Sequence, residues 1–289
     1  MPEYLQRDQA PLTAAEWAVL DSAVVRTAQG SLVGRRFLTV VGPFGAGVEV
    51  VPHDTIGSPG PGKVDLLGNN EEGAIGSAQR SFLPLPLVYQ DFWLHWRDLA
   101  TNRQFGLPVD TGKAAAAASA AARAEDRLVF DGDAALGLPG LRNVESRQTL
   151  PMSDWSTMGR AFGDVAEGVR ALTAAGFTGP YALAVSPRLY AELNRIFDNT
   201  GVLELEQVEK LARSGVYSTA VLPEPGAILI DNGAQNMDLA VGLDLSTAYL
   251  ESSNLNHLFR VVETLALRIR RPGAICTYEP AAGTERRAR

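Results

Sequence analysis

The sequence predicts an α/β protein of the α+β kind, and three observations carry that prediction. A capped amphipathic helix opens the chain. An alanine-rich helical run occupies the segment from Val109 to Asp133. After "GLPGL" (137–141) helical and strand patterns alternate, and the chain closes on long alternating β runs. The length of 289 residues, with 46% apolar and 20% charged side chains, suits one large or two ordinary packed domains.

The first helix has a readable start. In "PLTAAEWAVLDSAVV", Thr13 is placed to cap, Glu16 to reach back as its capping-box partner, and Leu12 to staple onto Trp17. Trp17, Leu20 and Val24 then fall on one stripe that must pack on something. Gly30 and Gly34 end the helix, and "RRFLTVVG" reads as a strand.

The glycines of "FLTVVGPFGAGVEVVPHD" raise the question of a phosphate loop. Such a loop needs a helix after it, because the anion sits on free N–H groups of a helix N-terminus. Here Val48 to Pro52 is β-rich and closed by proline, so the segment predicts a bend. From Gly47 to about Pro86 the chain reads as an extended two-stranded arm with its tip near Pro59 to Gly62. An isolated hairpin is marginal in water, so the arm needs a neighbour to lie on.

"LPLPLVYQDFWLHWRDLATNRQFG" predicts a strand running into a helix, with Tyr89, Phe92, Trp93 and Trp96 clustered at the junction. The alanine run follows as a spine helix capped near Asp110 or Thr111, since alanine favours helix and lets another backbone approach closely. Next come a helix from about Ser156 to Ala175, ended by Gly176, and a strand from Tyr181 to Ser186. Ser186 and Pro187 then open a helix, and another spans about Glu204 to Arg213. Short strands are predicted at "VYSTAVL", "AILID", "MDLAVGL" and "TAYLES", then two paired strands in "HLFRVVETLALRIRRPGAICTYE". The tail from Pro280 to Arg289 is small and polar.

Several chemistries find no support. Cys276 has no partner for a disulfide and reads as a small buried hydrophobe in a final strand. His53, His95 and His257 stand at no ligand spacing, and Phe92 occupies the place three before His95 where a di-iron motif needs glutamate. No G-x-S-x-G elbow occurs. Glu71 and Glu72 lie in the arm, while Glu125 and Asp126 read as a solvated helix face. A net charge of −7 argues against sequence-independent nucleic-acid binding. No apolar run is long enough to span a membrane and no export signal is evident, so a cytoplasmic protein is expected.

The motifs "SLVGRRFLTVVGPFGAGVEVVPHD", "YQDFWLHWRDL", "GPYALAVSPRLY", "TGVLELEQVEKL", "NMDLAVGLDLSTAYL" and "HLFRVVETLALRIRRPGAICT" resemble the encapsulin shell proteins of the linocin-type bacteriocin family. The resemblance runs from about residue 2 to 278 and points to the myxobacterial iron-storage type. It implies the phage major capsid-like fold of the Hong Kong 97 type. The implied parts are an N-terminal helix with the start of a peripheral domain (1–46), an extended arm (47–88) and a peripheral domain with the spine helix (89–138). An axial domain (139–236), a return to the peripheral domain (237–279) and a tail (280–289) complete them.

The resemblance also implies a function: a non-enzymatic subunit of an icosahedral nanocompartment that needs no cofactor. It would enclose ferritin-like cargo held by terminal targeting peptides and admit iron through pores. Cargo docking falls on Arg35, Thr39, Leu243 and Leu245, with Thr39 standing where a relative has an acidic residue. Ordinary strand core is the other reading of the two leucines. Pore lining falls on Asp198, Glu204 and Glu206 in "FDNTGVLELEQ", although acids at a helix start need no pore to explain them. A surface flavin would stack on Trp93 or Tyr89, against core packing of the same rings. A phage or prophage capsid protein of the same fold is the first alternative function. An enzyme, either a flavin-dependent reductase or a protease, is the second.

Overall fold

The computed structural model describes residues 3–57, 62–64, 66, 74–197 and 201–280. Helix α1 (Ala14–Ser31) begins as expected: Thr13 Oγ1 accepts from Glu16 N, and Thr13 N donates to the Glu16 carboxylate at 2.7 Å. The expected strand after it is largely absent. The Asp126 carboxylate accepts from Val33 N and from Gly34 N at 2.8 Å, which draws residues 34–36 into a 3-10 turn and leaves only β1 (Val40–Val41).

The glycine-rich bend docks on the body. Phe44 N and Gly45 N donate to the carbonyls of Val241 and Gly242, so these two amides are not free to cradle a phosphate. Gly42 sits at φ +128° with Val241 O only 2.2 Å from where a Cβ would stand. No side chain fits there. The arm then leaves as β2 (Val50–Ile56) and returns as β3 (Ser77–Pro84), an antiparallel pair that forms a two-stranded sheet of its own among the described residues, with Ile56 N donating to Arg270 O at 3.0 Å. Most of the expected tip, Pro59 to Pro61, lies outside the described residues, as do Glu71 and Glu72.

Strand β4 (Leu87–Leu94) leads into α2 (Trp96–Phe105) and then the spine α3 (Gly112–Asp131). Thr111 holds the cap position, and Asp110 Oδ1 accepts from Gly112 N at 2.9 Å. The alanines do what their size permits: Ala114, Ala117, Ala118 and Ala121 are buried in one core with Trp17, Leu20 and Val24 of α1 and Phe92, Phe259 and Val261 of the sheet beneath. Glu125 and Asp126, expected on a solvated face, are buried instead. Their turn of α3 faces Gly34 and Arg35.

Two small strands, β5 (Gly132–Asp133) and β6 (Leu138–Pro139), form a clip before β7 (Gln148–Met152). Helix α4 (Arg160–Ala174) starts later than expected. Strand β8 (Tyr181–Val185) is buried at every position. After it come α5 (Pro187–Leu193), α6 (Glu204–Glu209), β9 (Val216–Ser218) and β10 (Ala227–Asp231). Helix α6 stops four residues short of Arg213.

The end of the chain departs most from expectation. "MDLAVGL" and "TAYLES" form one long strand, β11 (Met237–Ser253), bent by register shifts near Leu243. Asn254 and Leu255, both at positive φ, turn it into β12 (Asn256–Ile269). The last strand, β13 (Ile275–Pro280), does not pair with β12. Pro272 breaks the run, and β13 enters another sheet between β7 and β10.

Two sheets result. One has the order β1-β11-β12-β4, the other β7-β13-β10-β8-β9. Within 237–279, β11 and β12 thus share a sheet with β4, whereas β13 lies with the strands of 139–236. Helix α4 lies on the second sheet, and Gly168 marks the contact: a Cβ there would meet the Tyr278 hydroxyl at 2.0 Å. Cys276 is buried in β13, and burial pushes its thiol up to about 12.

Candidate functional site

Helix α1 and the free edge of β11 enclose a groove of 340 Å³ lined by Val25, Ala28, Gln29, Leu32, Arg35, Arg36, Asp244 and Leu245. The register shift at Leu243 exposes this edge by breaking the regular alternation of β11. Of the four residues expected to dock cargo, Arg35 and Leu245 line the groove. Leu243 points elsewhere, into a small cluster with Leu5, Ala248 and Val262. Thr39 is exposed, with its carbonyl accepting from Leu239 N at 2.9 Å.

Arg35 is not a free cation waiting for a ligand. Its Nε donates to Glu125 at 2.8 Å, Nη1 to Asp244 at 2.7 Å and Nη2 to Glu263 at 2.7 Å. Burial opposes its charge, but the Glu125 hydrogen bond and the carboxylates around it outweigh that and hold the guanidinium above its ordinary range. Glu263 is pushed up to about 10, chiefly by burial and by the neighbouring Glu125, and so carries a proton at neutral pH. Burial likewise raises Asp126 to about 6, against the two backbone donors it caps. The groove floor is thus an arginine locked among acids, and Asp244, whose side chain is 61% exposed, is the acid presented to solvent.

Glu263 and Asp244 escaped the sequence reading, and Glu125 was placed by it on a solvated face. Glu263 left a trace, since it sits between Val261 and Leu265 in the inward register of β12, where an acid needs a partner.

The acids expected at a pore separate. Asp198 lies outside the described residues. Glu206 is exposed in the first turn of α6. Glu204 is buried, and its Oε1 accepts from Gly159 N at 3.1 Å and Phe162 N at 3.4 Å, capping α4. That carboxylate is turned inward onto the N-terminus of α4, whose N–H groups need an acceptor.

The aromatic junction also divides. Phe92 stacks on Phe259 in the core at 5.4 Å between ring centroids. Tyr89 and Trp93 stand on the opposite face of β4, 50% and 38% exposed, so core packing does not account for them. Four residue steps along the strand set them about 13 Å apart, too far to clamp one ring system from both sides. The Arg260 guanidinium lies 3.9 Å from the Tyr89 ring centroid and covers one of its faces. Trp93 is left as the freer stacking surface.

A larger cavity of 770 Å³ opens near the ends of β7 and β13 beside α5, lined by residues such as Trp155, Arg188, Glu224 and Pro280. None of the expected site residues reaches it. Among the described residues no group of three or more histidine, cysteine or acidic side chains is placed to hold a metal ion, and no helix is long and apolar enough to cross a membrane.

Comparison with known proteins fits this arrangement. Residues 2–266 match the family Linocin_M18, described as "Encapsulating protein for peroxidase". The chain is 46% identical to the type 1 encapsulin shell protein EncA of Myxococcus xanthus, over 99% of this chain and all of that one. It is 43% identical to a diheme-cytochrome-encapsulin shell fusion protein of Kuenenia stuttgartiensis, over 91% of this chain and 72% of that one. Among solved structures, a virus-like particle from Pyrococcus furiosus superposes with a TM-score of 0.73 at 22% identity, covering 90% of this chain and 98% of that one. The capsid of the phage XM1 superposes at 0.63 with 12% identity, covering 85% and 90%. These likenesses show the phage-capsid type of fold, and the sequence matches fix the family: this chain is an encapsulin shell protein.

Proposed function

We propose that this chain is the subunit of a closed, self-assembling shell that holds a ferritin-like cargo enzyme on its α1–β11 groove and admits iron past exposed acids. The arm carries the assembly part of the reading. Among the described residues its two strands form a sheet of their own, and Phe82 and Val50 stand 68% and 51% exposed on it. An exposed two-stranded arm of this kind is completed by a neighbour. Repetition of such contacts around a symmetric particle sums small areas into a stable whole.

The groove supports cargo capture, because it offers an apolar wall from α1 and a fixed acid, Asp244, at its rim. A Pyrococcus furiosus relative, 24% identical over 75% of this chain, is named a ferritin-like-encapsulin shell fusion protein, which supports the class of cargo. Iron chemistry then belongs to the cargo. The exposed Glu206, repeated by symmetry, would concentrate cations at an entrance. The free face of Trp93 supports one stacking position for a flavin, and a preparation that stays colourless after flavin incubation and washing would remove it.

Electron microscopy with light-scattering mass on the protein expressed alone tests the reading. Uniform hollow particles are expected, and co-expression with a ferritin-like cargo should fill them. Monomers or small oligomers would overturn it, and packaged DNA would favour a phage capsid protein instead.

A further inference from the structure

The groove is the second half of a longer seam, and the chain's own N-terminal segment lies in the first half. Two short 3-10 turns, Glu3–Leu5 and Arg7–Gln9, pack along β11 before Thr13 starts α1. Leu5 is buried against Ala248, Val262 and Leu243. The Arg7 guanidinium lies 3.9 Å from the Trp17 ring centroid and pairs with Asp21. Trp17, Asp21, Val25 and Gln29 follow one another at four-residue intervals, which sets them in one line along α1. The first two hold Arg7, and the last two line the open groove. Leu245 joins the halves, packing against both the Trp17 cluster and the cluster of Ala28 and Leu32.

We propose that this seam is one continuous peptide track, and that residues 3–9 are a strap bound in cis that competes with the incoming cargo peptide. The proposal rests on the docking reading above. The strap presents an apolar side chain and a cation two residues apart, and each has a built partner: the Leu243–Ala248–Val262 pocket and the Trp17–Asp21 pair. A competing ligand therefore carries the same chemistry, a leucine-like residue followed by a cation.

The strap is also incompletely satisfied. Arg7 Nε is buried with no hydrogen-bond partner among the described residues, and Gln6 is held at φ +48°, where a side chain costs backbone strain. A segment held on these terms exchanges with a better-matched ligand. While it is bound, it lowers the ligand's apparent affinity by the fraction of subunits whose track is closed.

The test uses a fluorescent peptide of residues 3–10, EYLQRDQA, added to shells of the full chain, of a variant lacking residues 2–9, and of a Leu5→Ser/Arg7→Ser double variant. The double variant keeps the chain length and serves if the deletion prevents assembly. The peptide should bind a strap-disabled shell about tenfold or more tightly than the full-chain shell. A peptide bearing Arg7→Ser should lose that gain. Equal binding to all shells overturns the self-ligand. In parallel, captured ferritin-like cargo per shell should rise several-fold in the double variant. Unchanged cargo alongside the gained peptide binding overturns the competition and leaves cargo docking intact. Failure of every shell to take cargo removes the docking reading and the competition with it, whereas the peptide result still reports on the track.

Discussion

Arg35 and Glu263, 228 positions apart in the chain, meet at 2.7 Å beneath the groove, and Glu125 closes the cluster from α3. The arrangement puts two fully buried carboxyl groups on one guanidinium, and the pair is tolerable because Glu263 keeps its proton. Its ordinary pKa is 4.5, and in the fold it is raised to about 10. The folded state therefore binds the extra proton between those values, so this contribution is complete below pH 4.5 and is lost as pH rises toward 10. Glu263→Gln mimics the protonated acid: stability near pH 7 should stay within about 1 kcal/mol, and the alkaline decline should flatten. Arg35→Ala should cost about 3 kcal/mol or more by stranding the acids. Denaturant midpoints measured from pH 6 to 10 check both, and an unchanged alkaline slope in Glu263→Gln would refute the buried proton.

Glu204 and Glu206 are two residues apart and should behave oppositely. Glu204→Ala removes the acceptor at the start of α4 and should cost about 1–2 kcal/mol. It should also raise hydrogen exchange at Ile196 and Leu203, which form an isolated antiparallel bridge just before Glu204. Glu206→Ala, on an exposed position, should move stability by no more than about 0.5 kcal/mol. It should instead slow ferrous iron entry into loaded shells, as followed by stopped-flow absorbance. Slower entry from a folded Glu204→Ala shell with an unchanged rate in Glu206→Ala would reverse this assignment.

What the sequence made legible was local. Thr13 and Glu16 are three residues apart and their capping box could be read directly, as could the alanine spine and the helix start at Pro187. Arg35 binds partners 90, 209 and 228 positions away, and no periodicity reports that convergence. Glu204 shows the same limit in a single residue: an acid in the first turn of α6 reads as solvated, and only the approach of α4 buries it. The β13 crossover was hidden for a related reason. Strand pattern shows that a segment is β but not which sheet takes it, and the broken run at Pro272 was the one sign that two sheets were involved.

His53 places an acid-sensitive group at the root of the arm. It is buried on β2, its Nδ1 has no partner among the described residues, and burial together with Arg268 on β12 and Arg270 just beyond it lowers its pKa below 6.5. Asp54 and Asp238 oppose the shift without cancelling it. The fold prefers the neutral ring, so this contribution is complete above pH 6.5 and is lost as pH falls through the lowered value. As pH falls through that lowered value the arm should become protease-sensitive in the native protein. His53→Gln should shift that onset to lower pH; identical cleavage profiles would place acid sensitivity in another group.

Gly42 sets the direction in which the arm leaves. At φ +128°, with Val241 O 2.2 Å from the place of a Cβ, it allows the chain to lie against β11 while Phe44 N and Gly45 N bond to Val241 and Gly242. Gly42→Ala must push residues 42–45 off that strand, losing both hydrogen bonds and adding backbone strain, at a cost of about 2–4 kcal/mol. The α1–α3 core lies elsewhere on the sheet and does not include this segment, so helical circular dichroism should survive. Closed particles should not, because each arm would leave its subunit at a changed angle and miss its neighbour. Native mass measurement of folded Gly42→Ala protein should find small oligomers, and full-sized shells from that variant would show that the arm is aimed by other contacts.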